Sequence, residues 1–291
     1  MKTTLKTLIA AGALAATAFT SSAQAADYEP VMQYSDWAFR FEGAAGWQGV
    51  YLEEDGEPDQ SADTAIFNTA FSAAFQGPVV FAQLDGLFGT SHADVGGDGE
   101  TYNQFTGGVF LGWRDMNRGV LAANVAITGV GLDAELGSGN LLRAGGHGEV
   151  FMDMFTLGAA GGVVTSILSG DEGGDLGYAK GLVRFYVNDN LKLEGHGGAV
   201  FGDDSDGDSG AFVYGRALAE WKPDDGRMSY FARWDGFFFD DDEDDLSSHA
   251  VMAGIRLYFG EPGTTSIKSQ DRVHFTDSCA FGTAGQSLSI C

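Results

Sequence analysis

The chain has 291 residues, with 44 glycines, 5 prolines and a formal net charge of −25. That length holds one large domain or two small ones, and so acidic a balance argues against nucleic acid, whose phosphates need clustered Lys and Arg. No stretch approaches the ~18 apolar residues of a transmembrane helix.

The first element in chain order is a leader. Lys2 and Lys6 make a short cationic segment, Leu8–Phe19 is apolar but too short to span as a helix, and Ala23-Gln24-Ala25 fits a small-x-small cleavage pattern. A signal peptide over 1–25 is predicted, with the mature chain beginning at Ala26. Removing Lys2 and Lys6 takes the net charge to −27. Residues 26–35 are then a short periplasmic segment, with no room for a passenger domain before the first strand.

Twelve β-segments follow, predicted at Asp36–Gln48, Thr64–Phe75, Val79–Gly89, Tyr102–Trp113, Gly119–Val130, Leu141–Phe151, Phe155–Leu168, Leu176–Val187, Leu191–Phe201, Ala211–Trp221, Met228–Phe238 and Ser248–Phe259. Their connections alternate. Long acidic ones (Glu53–Asp63, Ser91–Glu100, Gly131–Asn140, Ser169–Asp175, Gly202–Ser209, Asp240–Ser248) take turns with tight ones near Gly77-Pro78, Asp115–Asn117, Asp153, Asn188–Asn190 and Pro223–Gly226. An even number of antiparallel strands with long loops at one end and tight turns at the other is the plan of an outer-membrane barrel. The predicted fold is all-β, one transmembrane up-and-down antiparallel β-barrel of about 12 strands over 36–259, with a periplasmic tail over 260–291.

Period-two alternation splits most strands into two faces. In the last, Val251, Ala253, Ile255, Leu257 and Phe259 oppose Met252, Gly254, Arg256 and Tyr258; in the first, Trp37, Phe39, Phe41, Ala45 and Trp47 oppose Arg40, Glu42 and Gln48. The seventh is small and apolar throughout and assigns no face. The aromatics decide which face is outside. On the apolar faces they sit at strand ends, as with Trp37, Trp113, Trp221, Tyr230 and Phe259 at the short-turn end and Trp47 at the other. Two such girdles flanking an Ala, Val and Leu band fit both bilayer interfaces, whereas a soluble core would centre its largest rings.

At these residues the chain resembles the bacterial outer-membrane β-barrels, porin-like proteins in particular. The resemblance covers about Asp36–Phe259 and includes Gly254-Ile255-Arg256-Leu257-Tyr258-Phe259, which is similar to the family's terminal assembly signal. It implies outer-membrane lipid and lipopolysaccharide as surroundings and the barrel-assembly machinery as a partner. In the family that signal ends the chain; here Gly260–Cys291 follow it.

The basic residues Arg40, Arg143, Lys180, Arg184, Lys192, Arg216, Arg233 and Arg256 fall on the polar faces. So do Glu42, Asp85, Glu149, Glu194, Glu220 and Asp235, with His147 and His196 beside them. Charge facing lipid at mid-depth costs about 2–4 kcal/mol for Arg or Lys, so these residues are predicted to line the lumen. They either pair into a lattice that stiffens the wall or form a charge-lined pore for small polar solutes. Passive diffusion is the leading expectation. A non-conducting structural or adhesion barrel with acidic loops is the alternative, and an outer-membrane hydrolase using His92 or His249 near Ser91, Ser247 and Ser248 is the second.

No catalytic residue is assigned, and no cofactor is expected beyond weakly bound Ca²⁺. For that ion Asp204, Asp206 and Asp208 are the candidate ligands, though the loop lacks the full spacing and final Glu of an EF-hand. Cys279 and Cys291 are the only cysteines. In an oxidising periplasm they are expected to pair, leaving no free thiol in the mature chain.

Overall fold

The computed structural model describes residues 37–274, apart from 55–59, 78–79, 96–97, 133–138, 167–175, 204–208, 224–225, 241–243 and 261–265. The predicted signal peptide, the 26–35 segment, the Asp204/Asp206/Asp208 loop and both cysteines lie outside the described residues.

Twelve strands are present: β1 (Trp37–Glu54), β2 (Gln60–Gln76), β3 (Val80–Val95), β4 (Asp98–Asp115), β5 (Gly119–Leu132), β6 (Gly139–Phe151), β7 (Phe155–Ser166), β8 (Leu176–Asn188), β9 (Leu191–Asp203), β10 (Ser209–Trp221), β11 (Met228–Asp240) and β12 (Asp244–Gly260). Each pairs antiparallel with its sequence neighbours, and β1 pairs with β12, closing the barrel. No sheet edge is left, as lipid requires.

The strands run further toward the long connections than the alternation alone indicates. β1 continues to Glu54, and its register pairs Glu53 with Asp245 and Glu54 with Asp244. An 18-residue strand at about 3.3 Å per residue and a tilt of about 40° stands roughly 45 Å along the axis, well above an apolar band of about 25 Å. The surplus ladder extends past the apolar band and ends in acidic pairs, so backbone pairing outlasts the alternation of polarity.

Local chemistry fixes the tight end. Asp115 Oδ1 accepts from Asn117 N at 2.9 Å and Asn188 Oδ1 accepts from Asn190 N at 2.8 Å, two Asx turns. At the other end of the sequence, Gly260 has φ +120°, and a Cβ there would lie 2.9 Å from the Trp37 carbonyl oxygen. An L side chain at this position would be strained, so β12 ends on a glycine. The single described helix, α1 (Ile267–Val273), follows, capped by Ser266, whose side chain accepts from Ser269 N at 3.1 Å.

The packing is inverted relative to a soluble protein. Large apolar side chains face outward, with Leu121 65%, Val251 61% and Trp47 58% exposed. The predicted girdle residues Trp37, Trp113, Trp221, Tyr230 and Phe259 share that outward surface. Arg, Lys, Glu, Gln and Thr fill the interior. The undecided seventh strand resolves into Thr156 and Val164 buried inward against Phe155, Leu157 and Val163 outward.

Candidate functional site: the lumen

The inward rows of the strands bring every charged residue of the predicted pore lining into the barrel interior. They are not independent. Arg184 donates to Glu149 Oε2 and to Glu194 Oε2, both at 2.8 Å. Lys192 Nζ stands 3.3 Å from Glu194 and 3.0 Å from Glu220. Glu220 also accepts from Arg256, Ser229 and Tyr258. Arg256 Nε donates to Glu42 at 2.7 Å, and Arg233 Nη1 lies 3.4 Å from the same carboxylate. Asp235 then lies 2.8 Å from Arg233 Nε and accepts from Arg216 Nε at 2.6 Å. His147 and His196 complete the lattice as neighbours of Glu149 (3.2 Å) and Glu194 (2.8 Å).

This lattice spans seven strands, β1, β6 and β8 to β12, which is why it forms a girder and not a set of local pairs. Glu42 and Arg256 are distant in sequence but directly paired in the β1–β12 register. The groups are dry: Arg184, Lys192 and Glu220 are 0% exposed. Breaking one partner of such a pair leaves an uncompensated charge, so the lattice holds the lower barrel in one arrangement.

Charge is unevenly distributed. Among the described residues ten buried cations face seven buried carboxylates, and six of the seven, Asp85 being the exception, belong to the lattice or to α1. Asp85 accepts from Gln83 Nε2 at 2.9 Å through each oxygen. Lattice members lie toward the tight-turn end, Lys192 and Glu220 being one residue from their strand ends. The long-loop half is different. One side presents small polar groups, such as Gln48 donating to Ser248 at 2.9 Å and Thr106 beside Thr128 at 3.0 Å. The other is apolar, with Val164, Tyr178 and Val200 packed against Leu141, Leu176, Phe212 and Tyr214. The last four are only partly buried.

Helix α1 crosses the tight-turn mouth. Asp271, 3% exposed, reaches Lys192 Nζ from β9 at 2.9 Å and accepts from Tyr186 of β8 at 3.3 Å. Arg114 of β4 donates to the Val273 carbonyl from across the barrel. Ile267 N donates to Asp189 O at 2.8 Å, Arg272 to Met152 O at 3.0 Å, and Lys268 Nζ lies 3.3 Å from Asp153. The following residue, His274, rests its ring 6.3 Å from that of Tyr258. Burial, then Arg40 and Arg114, hold the His274 imidazole well below its usual value.

The rim residues considered for hydrolysis do not converge. Ser91 faces inward at 6% exposure while His92 faces outward, its Nδ1 3.2 Å from Thr101 Oγ1. His249 packs outside against Trp234 and Phe238 at 5.9 and 5.2 Å, and Ser248 is inside, bonded to Gln48.

Residues beyond the predicted set also shape the lumen. Arg114 and Lys222 are buried; Arg114 shares the polar register of Gln104 and Thr106, so its position was readable. Tyr178, Tyr186, Tyr214 and Tyr258 occupy inward positions by the same alternation. Asp271 and His274 had only the Ser266 cap to announce a helix, with no apolar period to say what it would cover.

The inverted surface and closed antiparallel topology define the class, a β-barrel of the bacterial outer-membrane type. No protein-family model and no curated protein sequence matches the chain. Solved structures share its fold. It is similar to an outer membrane channel from Pseudomonas putida F1 at 10% identity and a TM-score of 0.58, covering 80% of this chain and all of that one. It is also similar to the translocator domain of the autotransporter NalP from Neisseria meningitidis at 14% identity and a TM-score of 0.50, covering 87% of this chain and 98% of that one. At these identities the likeness is one of fold.

Proposed function

We propose that this protein is a channel in a bacterial outer membrane that passes small polar or charged solutes, with its periplasmic mouth narrowed by α1. The observation that carries this reading is the polarity of the interior. Ten cations, seven carboxylates and a row of Gln, Thr and Ser line a lumen whose long-loop half keeps partly exposed side chains, while the tight-turn half is closed by ion pairs and the helix. A barrel that served only as an anchor gains nothing from graded closure. The surplus of buried cations favours anions over cations once the mouth is open, and the Pseudomonas putida channel shows that this fold accommodates conduction.

The test is planar-bilayer conductance of the refolded chain beside a variant cut after Gly260. Conductance steps that grow on truncation, with anion-selective reversal potentials in a salt gradient, support the reading. Arg143→Gln should then lower the anion preference. Both chains folding with heat-modifiable mobility yet staying silent would refute it.

The lattice itself supports a second reading, a rigid non-conducting barrel whose acidic loops are the working surface. The same truncation separates the two, since removing α1 leaves the Glu149-to-Arg216 lattice in place.

A further inference from the structure

We propose that the long-loop mouth of the lumen binds an organic cation with an apolar body, an aryl- or alkylammonium, on the rings of Phe212, Phe237 and Phe239. The inference goes beyond the channel reading. Such a cation enters from the acidic mouth and is turned back by the cation-rich lower lumen, so it occupies the path without passing it.

Three observations carry it. The first is accessible aromatic surface inside the barrel. Phe212 and Tyr214 of β10 and Phe237 and Phe239 of β11 alternate with Val213 and Phe238, which are 53% and 42% exposed on the outer face. Cross-strand register pairs Phe212 with Phe239 and Tyr214 with Phe237. All four inward rings are half-buried and keep open surface. In the tight-turn half of the same two strands the inward Leu218 and Phe231 are sealed, at 4% exposure each. Apolar surface left in a wet lumen costs free energy in proportion to its area. Passing hydrated ions recovers none of that cost; a ligand that covers the rings does.

The second is the arrangement of the rings. The Phe212 centroid lies 5.5 Å from that of Phe237 and 4.8 Å from that of Phe239, with the planes only 28° and 29° apart. The three rings form one stack that climbs β11 toward the mouth. Its top offers a π face to an ammonium group, and its flank offers carbon surface to the apolar body.

The third is the field at that mouth. The six long connections contain no Lys or Arg, and Asp240–Asp245 is an unbroken acidic run. Register sets Asp240 of β11, Asp245 of β12 and Glu53 of β1 in one row, next to the row that pairs Phe239 with Leu246. A rim of one sign concentrates cations. Deeper, the sign reverses, because buried cations outnumber buried carboxylates. An amphipathic cation is therefore oriented, with its ammonium toward the rim and its body on Phe212 and Phe237.

The experiment is isothermal titration of the folded full chain in nonionic detergent with benzyltrimethylammonium, with tetramethylammonium and neutral benzyl alcohol as comparisons. The aromatic cation should bind at least about tenfold more tightly than either. Phe212→Leu and Phe239→Leu, which keep an apolar side chain and remove the ring, should each weaken it about threefold, and the double variant about tenfold. Phe238→Leu, on the outer face of the same strand, should leave it unchanged. Heat-modifiable mobility checks that each variant is folded. Equal binding of benzyl alcohol would reduce the site to apolar partitioning, and equal binding of tetramethylammonium would reduce it to a bare acidic rim; either overturns the proposal. So does unchanged affinity in the double variant, or a loss in Phe238→Leu as large as in Phe212→Leu. Binding is read without conductance: a chain that binds the cation but is silent in bilayers keeps the site and loses the channel, and one that conducts but ignores the cation loses the site alone.

Discussion

Asp271→Asn should loosen α1 from the barrel mouth without unfolding the barrel. The helix is held by burial of Ile267 and Val273, worth about 4 kcal/mol together. Backbone and side-chain hydrogen bonds to Asp189, Arg114 and Met152 and the Lys192–Asp271 contact add about 6 kcal/mol at typical net values. Against this stands the ordering of the seven residues of α1, at about 1.5 kcal/mol each, or roughly 10 kcal/mol. The two sides nearly cancel, so docking is poised.

Asparagine keeps the shape of the side chain and removes its charge. Lys192 retains Glu194 and Glu220, so the loss is that of one charge-assisted contact, about 2 kcal/mol. Near balance this shifts the docking equilibrium constant about 30-fold. Two assays read it. Single-channel records should show a larger open fraction, and trypsin, which cleaves after Lys268 and Arg272, should cut the folded variant faster than the parent. A variant with unchanged open fraction and unchanged proteolysis would refute the argument that Asp271 secures the helix.

The pH dependence of docking should follow His274. Its ring nitrogens have no hydrogen-bond partner among the described residues and face Arg40, Arg114 and the Tyr258 ring, so only the neutral form docks well. A depressed imidazole pKa gives a contribution that is full above about 6.5 and lost as pH falls below it; trypsin sensitivity of α1 should rise between about pH 7.5 and about 5.5, and His274→Gln should flatten that rise. Arg184→Gln strips buried Glu149 of its guanidinium partner and Glu194 of one of its cations and should destabilise the barrel by about 3–5 kcal/mol, read as a lower urea midpoint; Glu149→Gln in the same chain should recover part of it. Val125→Arg on the outward face, 51% exposed, should cost about 2–4 kcal/mol in folding into vesicles, and no loss would show that this surface does not face lipid.

What could be read from the chain, and what could not, follows from the range over which each signal acts. Alternation within a strand is a property of neighbours two apart, and it separated Trp37, Phe39 and Phe41 from Arg40 and Glu42 because those residues differ sharply in polarity. Where they do not differ, as in the glycine- and alanine-rich β7, the same rule was silent until β6 and β8 supplied a frame. Strand ends such as that of β1 were short by several residues because backbone pairing continues to the acidic Glu53 and Glu54, past the point where polar and apolar residues alternate. The lattice was invisible for another reason. Each of its charges was expected inside, but the pairing of Glu42 with Arg256, or of Glu149 with Arg184, depends on closure of the barrel and on cross-strand register. The same closure separates the roles of like residues. Arg184 and Arg256 are each held between two carboxylates, whereas Arg114 reaches the Val273 carbonyl of α1, although all three occupy inward positions in their strands. Alternation tells which side of the wall a charge is on; only the folded barrel tells which strand or helix holds its partner.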